Sequence, residues 1–405
     1  MTAPVAVTGL GLLTPAGTGE RAMWDCLCRA RSTALLDPAL TDMPVDFSCR
    51  VPAFGLGSVQ KIAWRTNRFI QMAVVAARMA VVDAHLTPGR WDRRRVGVVM
   101  GVGAASMEHW PDEVEKLLRG RLRAVSPLSL PRSIPNMASG EIAMDLDVAG
   151  PNLVVSTACA SGASALGVAK DLLAADRCDV VLAGGAESPR ASALVALCFA
   201  RMSVLSRRRH DPPGASRPFD ADRDGFVLGE GAAVLVLEKA EHARSRRAAV
   251  RAWLSGYGAS ADAYHPTTPD PEGKGAIAAV GAALDDAGLR PDDIDHVNAH
   301  GSSTLFNDLY EARALNRAFA HPPPVTANKG ALGHGVGAAG AIEAACSVLA
   351  LQHQLIPPVA NFARLDPRID LDVVAGTPRA HRMEAVVSDS FGFGGQNAVL
   401  VFTRA

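Results

Sequence analysis

Cys159 is the first residue in this chain whose type and position together suggest chemistry. It follows the β-branched pair Val154-Val155 and precedes a run of small residues that begins at Ala160. A strand that feeds a helix through a tight turn presents one side chain at the helix N-terminus, where unpaired N–H groups and the helix dipole favour a thiolate. Cys159 is therefore a candidate nucleophile for acyl transfer. The alternative is a small buried thiol, which is what most cysteines are.

Two histidines and a lysine form a second group of candidates. His300 follows a predicted strand and precedes Gly301, a placement that suits the ligand edge of an α/β sheet. His334 closes a glycine-rich segment that begins at Lys329, and Glu343 lies on the next predicted helix. A buried lysine needs a carboxylate partner, so we expect Lys329 and Glu343 to pair. The alternatives are a packed core histidine and a purely structural ion pair.

The segment 389–397 contains three glycines around Phe391 and Phe393. Such a backbone must turn tightly beside another part of the molecule. The functional interpretation is that a backbone N–H here holds an oxyanion and that a phenylalanine ring guards a pocket. The alternative is a β-turn with packed rings.

Composition limits what the chain can bind. Its 405 residues include 41 basic and 41 acidic side chains, so the formal net charge is zero. This balance argues against bulk binding to nucleic acid or to a membrane surface, and leaves local patches open. Seven scattered cysteines predict a reduced, cytoplasmic protein rather than a disulfide framework. We expect neither a signal peptide nor a membrane span, because no apolar run reaches about 20 residues.

Short β-branched runs alternate with Ala- and Leu-rich stretches of helical period, which predicts an α/β fold with strands buried on both faces. A weak repeat divides the chain into a first half, 1–245, and a second half, 246–405. The predicted strands are 5–9, 96–100, 154–156, 180–183, 233–238, 296–299, 325–328, 385–388 and 398–402. The predicted helices are 68–85, 161–175, 275–287, 308–319 and 338–352.

Two motifs that suggest ligands are rejected. The segment 335–340 fits the dinucleotide fingerprint, but the acidic residue expected about 20 positions later is absent near Ala360. Its glycines are expected instead to let a helix start pack closely. The segment 220–225 opens like a calcium loop, yet Gly231 stands where the bidentate glutamate should be. Its carboxylates are expected to bind arginines and backbone N–H groups. The sequence therefore predicts no metal and no cofactor.

Four ordered motifs, 157–162, 298–301, 329–334 and 390–395, resemble those of the β-ketoacyl-acyl-carrier-protein synthases. These are the elongating condensing enzymes, acyltransferases of fatty acid and polyketide synthesis that form carbon–carbon bonds. The resemblance spans nearly the whole chain and implies a thiolase-like α/β fold with a duplicated, five-layered αβαβα architecture. In that fold the first half carries the cysteine, and the second half carries the histidines and the lysine.

The resemblance implies that Cys159 holds the acyl chain as a thioester. His300 and His334 would bind the malonyl thioester carbonyl and promote loss of CO₂, while Lys329, paired with Glu343, would organise them. Loss of CO₂ puts negative charge on a thioester oxygen, and two neutral imidazoles can each donate one N–H to it without protonating the carbanion.

The resemblance assigns further residues to substrate. The N–H groups of Cys159 and Phe393 would hold the oxyanion, and Phe393 would also gate the acyl pocket. Ser302 and Thr304 would bond the phosphopantetheine arm, which arrives on the carrier protein. The depth of the acyl pocket is expected to depend on Val102, Ala104 and Phe199.

Several positions depart from the usual family pattern, and these departures favour a specialised polyketide or secondary-metabolite synthase over the housekeeping enzyme. They are Ser302 for threonine, 305–307 for a proline- and glycine-containing stretch, Gly335 and Val336 for larger aliphatics, Asp389 for asparagine and Gln396 for threonine.

Three rival functions stay open. One is a non-catalytic, chain-length-factor-type partner of a ketosynthase, which usually lacks the nucleophile that this chain retains. Another is a thiolase-like enzyme, which needs a second cysteine that 390–397 lacks. The third is a hydrolase or acyltransferase that uses Cys159 without decarboxylation.

The expected partners are an acidic acyl carrier protein and a second subunit, as a homodimer or as a heterodimer with a homologous ketosynthase-like chain. At least one of three basic runs is predicted to rim the tunnel and steer the carrier. The runs are Lys61, Arg65 and Arg68; Arg119, Arg121 and Arg123; and Arg207, Arg208 and Arg209. The alternative for each run is a solvated face.

Overall fold

Alternating strands and helices build two halves of the same design in the computed structural model, which describes residues 4–104 and 107–405. The strands are β1 (Val5–Thr14), β2 (Gly17–Thr18), β3 (Ala34–Leu36), β4 (Phe47–Cys49), β5 (Val96–Gly101), β6 (Asn152–Val155), β7 (Val180–Glu187), β8 (Gly231–Lys239), β9 (Ala252–Ala261), β10 (His296–Asn298), β11 (Val325–Thr326), β12 (Leu355–Ile356), β13 (Arg379–Ala380), β14 (Ala385–Gly392) and β15 (Gln396–Thr403). The helices are α1 (Glu20–Cys28), α2 (Arg68–Asp83), α3 (Trp110–Leu118), α4 (Ser129–Ser133), α5 (Met137–Leu146), α6 (Ser161–Ala174), α7 (Ala193–Arg201), α8 (Ala240–Ser245), α9 (Lys274–Ala287), α10 (Leu305–Ala318), α11 (Lys329–Leu332) and α12 (Ala339–His353).

The main sheet runs in the order β11-β10-β14-β15-β9-β1-β8-β7-β5-β6. Outward from its centre, β1-β8-β7-β5-β6 and β9-β15-β14-β10-β11 each show two antiparallel pairings followed by two parallel ones. The two halves meet where β1 pairs antiparallel with β9, between Val7 and Ala252 among others. The predicted boundary after residue 245 lies in the connection between α8 and β9.

Helices lie in three layers around the strands. α6 and α12 contact each other and strands of both halves, so they form the central layer. α2 and α5 cover the outer face of the first half, while α9 and α10 cover that of the second half. The result is the five-layered αβαβα arrangement predicted from the sequence.

Paired glycines let an outer helix lie directly on the first strand of each half. A Cβ at Gly11 in β1 would stand 1.8 Å from the Ala76 carbonyl oxygen of α2. A Cβ at Gly258 in β9 would stand 2.1 Å from the Ala279 carbonyl oxygen of α9. These close approaches exclude any side chain and repeat the same packing solution in both halves.

The predicted strands and helices are all present, with bounds that differ by up to three residues except at β1, β7 and β14, which extend four or five residues further. The sequence pattern does not indicate β9, because Gly256 and Gly258 interrupt a β-branched run there. Nor does it indicate the shorter helices α1, α3, α4, α5, α7, α8 and α11 or the short strands β2, β3, β4, β12 and β13. The stretch Val336–His353 is long and apolar enough to cross a membrane, but 89% of it is buried inside the protein, which marks it as a core helix.

Both rejected motifs have structural roles. A Cβ at Gly337 would stand 2.3 Å from the Gly103 nitrogen, and a Cβ at Gly340 would stand 2.8 Å from the Ala163 nitrogen of α6, so these glycines allow close packing as predicted. The Asp220 carboxylate accepts hydrogen bonds from the N–H groups of Asp222, at 2.9 Å, and of residue 363, at 2.7 Å. Within the described ranges, no cluster of three or more His, Cys, Asp or Glu residues could hold a metal ion.

Candidate active site

Cys159 lies in a short 3₁₀ turn, Ala158–Ala160, between β6 and α6. Ala158 has φ of +50°, a left-handed conformation that costs a non-glycine residue about 1 kcal/mol or more. The Ser161 hydroxyl stabilises this turn, since it donates to the Ala158 carbonyl at 2.6 Å and accepts from the Thr157 N–H at 2.9 Å. The strand–turn–helix placement predicted for Cys159 is therefore confirmed.

The thiolate form predicted for Cys159 is not confirmed. Burial raises the pKa of the Cys159 thiol to about 11, although the charge of Lys329 and an N–H from Phe393 lower it. Only 5% of Cys159 is exposed, and desolvation of the anion outweighs both favourable interactions. Cys159 is thus a neutral thiol at neutral pH.

The second half supplies a backbone donor to the sulfur. The N–H of Phe393 donates to Cys159 Sγ. This approach requires Gly392, because a Cβ there would stand 2.5 Å from the Thr157 carbonyl oxygen. The glycines of 389–397 therefore allow the loop to turn tightly against the nucleophile, as the sequence indicated.

His300 and His334 face each other, with ring centroids 5.4 Å apart and planes at 81°. His300 follows β10 at the parallel end of the second half-sheet, and His334 follows α11 through Gly333, whose φ is +68°. The backbone of His334 is fixed to the first half, since its N–H donates to the Val227 carbonyl at 2.8 Å. Each ring is thus held by an element of defined position.

The hydrogen bonds around both rings assign their tautomers. The Val336 N–H donates to His334 Nδ1 at 3.2 Å, so the ring proton of neutral His334 lies on Nε2. Lys329 Nζ lies 3.3 Å from His300 Nδ1, which gives His300 the same tautomer. Burial, followed by the charge of Lys329, holds the pKa of both histidines well below the usual value. At neutral pH the site therefore holds two neutral imidazoles whose Nε2–H groups are free to donate.

Lys329 and Glu343 form the predicted ion pair, with both side chains almost fully buried. The Lys329 ammonium also donates to the His300 carbonyl oxygen. Burial raises the pKa of Glu343 to about 7, against the opposing effect of Lys329. Lys329 thus contacts His300 at both its backbone and its ring, and it does not line the cavity that contains Cys159.

Glu311 on α10 was missed by the sequence analysis. Its carboxylate accepts hydrogen bonds from the N–H groups of His300 at 2.7 Å and Gly301 at 2.8 Å, and so fixes the turn after β10. The available signal was an acidic residue on the otherwise buried face of the helix that follows the histidine motif.

A cavity of about 300 Å³ joins most of the predicted site residues. Its lining includes Cys159, His300, His334, Phe393, Phe199, Ser302 and Thr304. Lys329 and Glu343 lie behind the two rings, next to a separate small cavity. The structure therefore brings Cys159, both histidines and the predicted substrate residues together around one cavity.

The predicted substrate residues occupy two parts of this cavity. The Ser302 and Thr304 hydroxyls lie 2.9 Å apart, and Thr304 also accepts from the N–H of Asn307 at the start of α10. Phe199 packs against the Phe393 ring, with centroids 6.2 Å apart. Ala104 packs in the same apolar cluster as Cys159. Val102 is buried in a separate apolar cluster with residues of α2, and neither Val102 nor Ala104 is among the residues that line the cavity, which corrects their predicted place at the pocket.

Asp389 is a buried carboxylate without a partner. It has 0% exposure, and neither oxygen has a hydrogen-bond partner in the described part of the chain. Burial and the nearby Glu343 raise its pKa to about 7. Burial, and then the charge of Asp389, also raises the pKa of Glu311 well above its usual value. A second acidic group therefore adjoins the Lys329 pair.

All three basic runs are partly engaged within the protein; in the third, Arg209 pairs with Asp46 and Arg208 donates to the Asp222 carbonyl oxygen. Arg65 pairs with Glu141 at 3.0 Å and Arg68 with Glu230 at 2.8 Å, so the first run is largely engaged within the protein. Arg119 pairs with its helical neighbour at 2.5 Å. Arg207 lies at the cavity rim, because its guanidinium donates to the hydroxyl of Ser203 at 3.3 Å, and Ser203 lines the cavity.

A cysteine and two neutral imidazoles that share one cavity on a duplicated five-layered fold are the features of a condensing enzyme of the thiolase-like class. The chain belongs to the β-ketoacyl synthase family: the family's N-terminal domain matches residues 2–243 and its C-terminal domain matches residues 251–363. It is a β-ketoacyl-acyl-carrier-protein synthase, an acyltransferase that forms carbon–carbon bonds.

Relatives cover the chain from end to end. A 3-oxoacyl-[acyl-carrier-protein] synthase 2 of Coxiella burnetii is 39% identical over 407 residues, with 99% of this chain and 98% of the relative covered. A putative polyketide beta-ketoacyl synthase 1 of Streptomyces cyaneus is 41% identical over 417 residues, with the same coverage. The solved ishigamide ketosynthase/chain length factor has a TM-score of 0.92 and 34% identity over 100% of both chains. These similarities confirm the predicted fold and family.

Proposed function

We propose that this enzyme condenses an acyl chain held on Cys159 with malonyl-acyl carrier protein, with loss of CO₂, in polyketide or other specialised fatty-acyl biosynthesis. The observation that carries the proposal is that Cys159 shares one cavity with two imidazoles that both present Nε2–H groups.

Acyl transfer comes first. Cys159 Sγ attacks the carbonyl carbon of an acyl thioester on the carrier, and the carbon–sulfur bond to the phosphopantetheine arm breaks. The Cys159 proton ends on the departing pantetheine thiol, so the step is balanced. The Phe393 N–H, which already reaches the sulfur, is placed to hold the tetrahedral oxyanion.

Condensation follows when malonyl-carrier protein enters. The bond between its carboxylate and α-carbon breaks, CO₂ leaves, and the electron pair forms an enolate. The Nε2–H groups of His300 and His334 hold the enolate oxygen, since neither ring carries a second proton that would quench the carbanion. The α-carbon attacks the Cys159 thioester carbonyl, a carbon–carbon bond forms, and the Cys159 sulfur leaves and regains a proton. Ser302 and Thr304 hold the arm.

The pathway assignment rests on the cavity mouth and on the relatives. Leu305 and Phe306 line the cavity and are 49% and 58% exposed, at positions where the family usually has a proline- and glycine-containing stretch. The relatives include enzymes named for fatty acid and for polyketide synthesis, and a polyketide synthase is among those near 40% identity. The apolar entrance favours the specialised alternative.

The decisive test measures CO₂ release and acyl loading separately. Intact-protein mass spectrometry with a panel of acyl-carrier thioesters should show one acyl group on Cys159, and malonyl-carrier protein should then release one CO₂ per condensation. Loading without CO₂ release would support a hydrolase or simple acyltransferase. Neither loading nor release would support the second candidate, a chain-length-factor-type subunit; retention of Cys159 and both histidines favours the enzyme.

Carrier docking is proposed at Arg207–Arg209, because Arg207 stands at the cavity rim. Acidic carriers are attracted by such a patch at low salt. Reversal of the three arginines to glutamate should raise the KM for carrier-bound substrate about tenfold or more and leave small thioester analogues unaffected. The matched control reverses Arg121 and Arg123, which are exposed and do not line the cavity. Equal losses with carrier-bound and small substrates would refute docking here.

A second subunit is proposed at β6, the strand that ends the main sheet. Leu153 on β6 is 43% exposed, and the neighbouring Met144 and Leu130 are 59% and 58% exposed. An unpaired edge with apolar neighbours favours pairing with another copy or with a homologous chain. Sedimentation of the purified protein, alone and co-purified from its native source, should separate a homodimer from a heterodimer. A monomer from both preparations would refute the interface.

We further propose a cytoplasmic location, in line with seven unbridged cysteines.

A further inference from the structure

A second cavity, of about 730 Å³, lies apart from the active site. It is bounded by the C-terminal end of α1 and by the segments 31–35 and 50–53. None of its lining residues lines the cavity that contains Cys159. Its volume is in the range of small-molecule sites in proteins, which span roughly 300–1,000 Å³.

Its charge is strongly unbalanced. Five arginines line it against two carboxylates, those of Asp25 and Glu230. Arg68 forms an ion pair with Glu230 at 2.8 Å, and Arg190 donates a hydrogen bond to Asp37 at 2.7 Å. Asp25 in turn lies 3.9 Å from Arg21.

The remaining three arginines are Arg29, Arg31 and Arg50. Across residues 4–104 and 107–405, no carboxylate or other acceptor engages their guanidinium groups. Arg29 and Arg31 are exposed and Arg50 is half-buried. All three border one concave space, so an anion inside that space can be reached by several guanidinium groups at once.

The geometry points to a binding site for a phosphate ester of about nucleoside size, held through Arg29, Arg31 and Arg50. Guanidinium groups present paired N–H donors that match phosphate oxygens, and they stack on flat rings. The volume exceeds what a free phosphate needs, and Val51, Pro52 and Leu35 provide an apolar wall for the organic group. This inference is independent of the proposed condensation, since it uses no residue of the catalytic cavity.

Calorimetric titration tests it with three probes: adenosine 5′-diphosphate, inorganic phosphate and adenosine. The diphosphate is expected to bind once per chain and to weaken as salt is raised. The Arg31→Gln/Arg50→Gln protein should bind it about tenfold or more weakly, because charge-assisted hydrogen bonds to two arginines are lost. The matched control, Arg90→Gln/Arg382→Gln, removes two exposed arginines elsewhere and should bind like the parent.

Several results would overturn the site. These are no binding of the diphosphate, equal binding by both double variants, binding as tight by free phosphate or by adenosine, and displacement of the diphosphate by alkylation of Cys159. If the double variant misfolds, Arg29→Gln at the exposed end of α1 replaces it, and undiminished binding there overturns the proposal equally.

Discussion

Replacing Asp389 with asparagine should change how the stability of this protein depends on pH. Asn has nearly the same shape as a protonated Asp and no charge. In the native structure Asp389 is fully buried and its carboxylate oxygens have no partner among the described residues. The pKa of Asp389 is raised from 3.8 to about 7, by burial first and by Glu343 second.

The sign and magnitude follow from linkage. Between about pH 4 and pH 7 the folded protein keeps a proton that the unfolded chain has lost, so native stability falls as the pH rises through this window and is constant above it. A pKa displaced from 3.8 to about 7 corresponds to about 4 kcal/mol at roughly 1.4 kcal/mol per tenfold change in proton affinity. Asp389→Asn should therefore match the parent near pH 4 and exceed its stability by about 2–4 kcal/mol at pH 8.5.

Denaturant unfolding followed by tryptophan fluorescence, from pH 4.5 to 8.5, measures this difference. The control is Asp285→Asn, an exposed position on α9 that should show no pH-dependent gain. A difference that is flat with pH would refute the reasoning. A variant that becomes less stable at high pH would show that a cationic partner holds the ionised Asp389.

Three further predictions concern the catalytic residues. With a Cys159 pKa of about 11, alkylation of Cys159 by iodoacetamide should accelerate about tenfold per pH step from 7 to 9, and a plateau below pH 8 would contradict the buried neutral thiol. His300→Ala should lower condensation about 10²-fold or more while acyl loading of Cys159 stays within a few-fold, and an equal loss of both would assign His300 to the first step. Gly392→Ala should lower the rate of acyl transfer about 10²-fold, because the alanine Cβ would stand 2.5 Å from the Thr157 carbonyl oxygen and displace the Phe393 N–H. An unchanged rate would exclude that N–H from oxyanion binding.

The placement of Cys159, His300 and Lys329 could be predicted because these residues lie near strand and helix ends, which the local sequence pattern marks well. His300 and Lys329 each follow a short β-branched strand, and Cys159 stands between a strand and a helix. Parallel strands bring such ends to one edge of a sheet, so sequence position already indicates proximity.

Features that depend on contacts between distant segments could not be predicted. Arg65 and Arg68 look like a free basic patch in the sequence, yet their partners, Glu141 and Glu230, are 76 and 162 residues away. The protonation of Cys159 was misjudged for the same reason, since burial by the second half outweighs the local helix terminus. The strand β9 was missed because its glycines are required by the close packing of α9 against it, a contact between segments that a local pattern does not show.

The contact of α6 with α12 sets a limit on how this enzyme can evolve. The Cys159 sulfur belongs to one half of the molecule and the imidazoles of His300 and His334 belong to the other. The distance between the sulfur and the rings therefore depends on how closely the backbones of α6 and α12 pack. At Gly340 that stacking leaves no room for even a methyl group beside Ala163. A single carbon inserted there would push the sulfur away from the rings, so a position that never meets substrate is constrained as tightly as one that does.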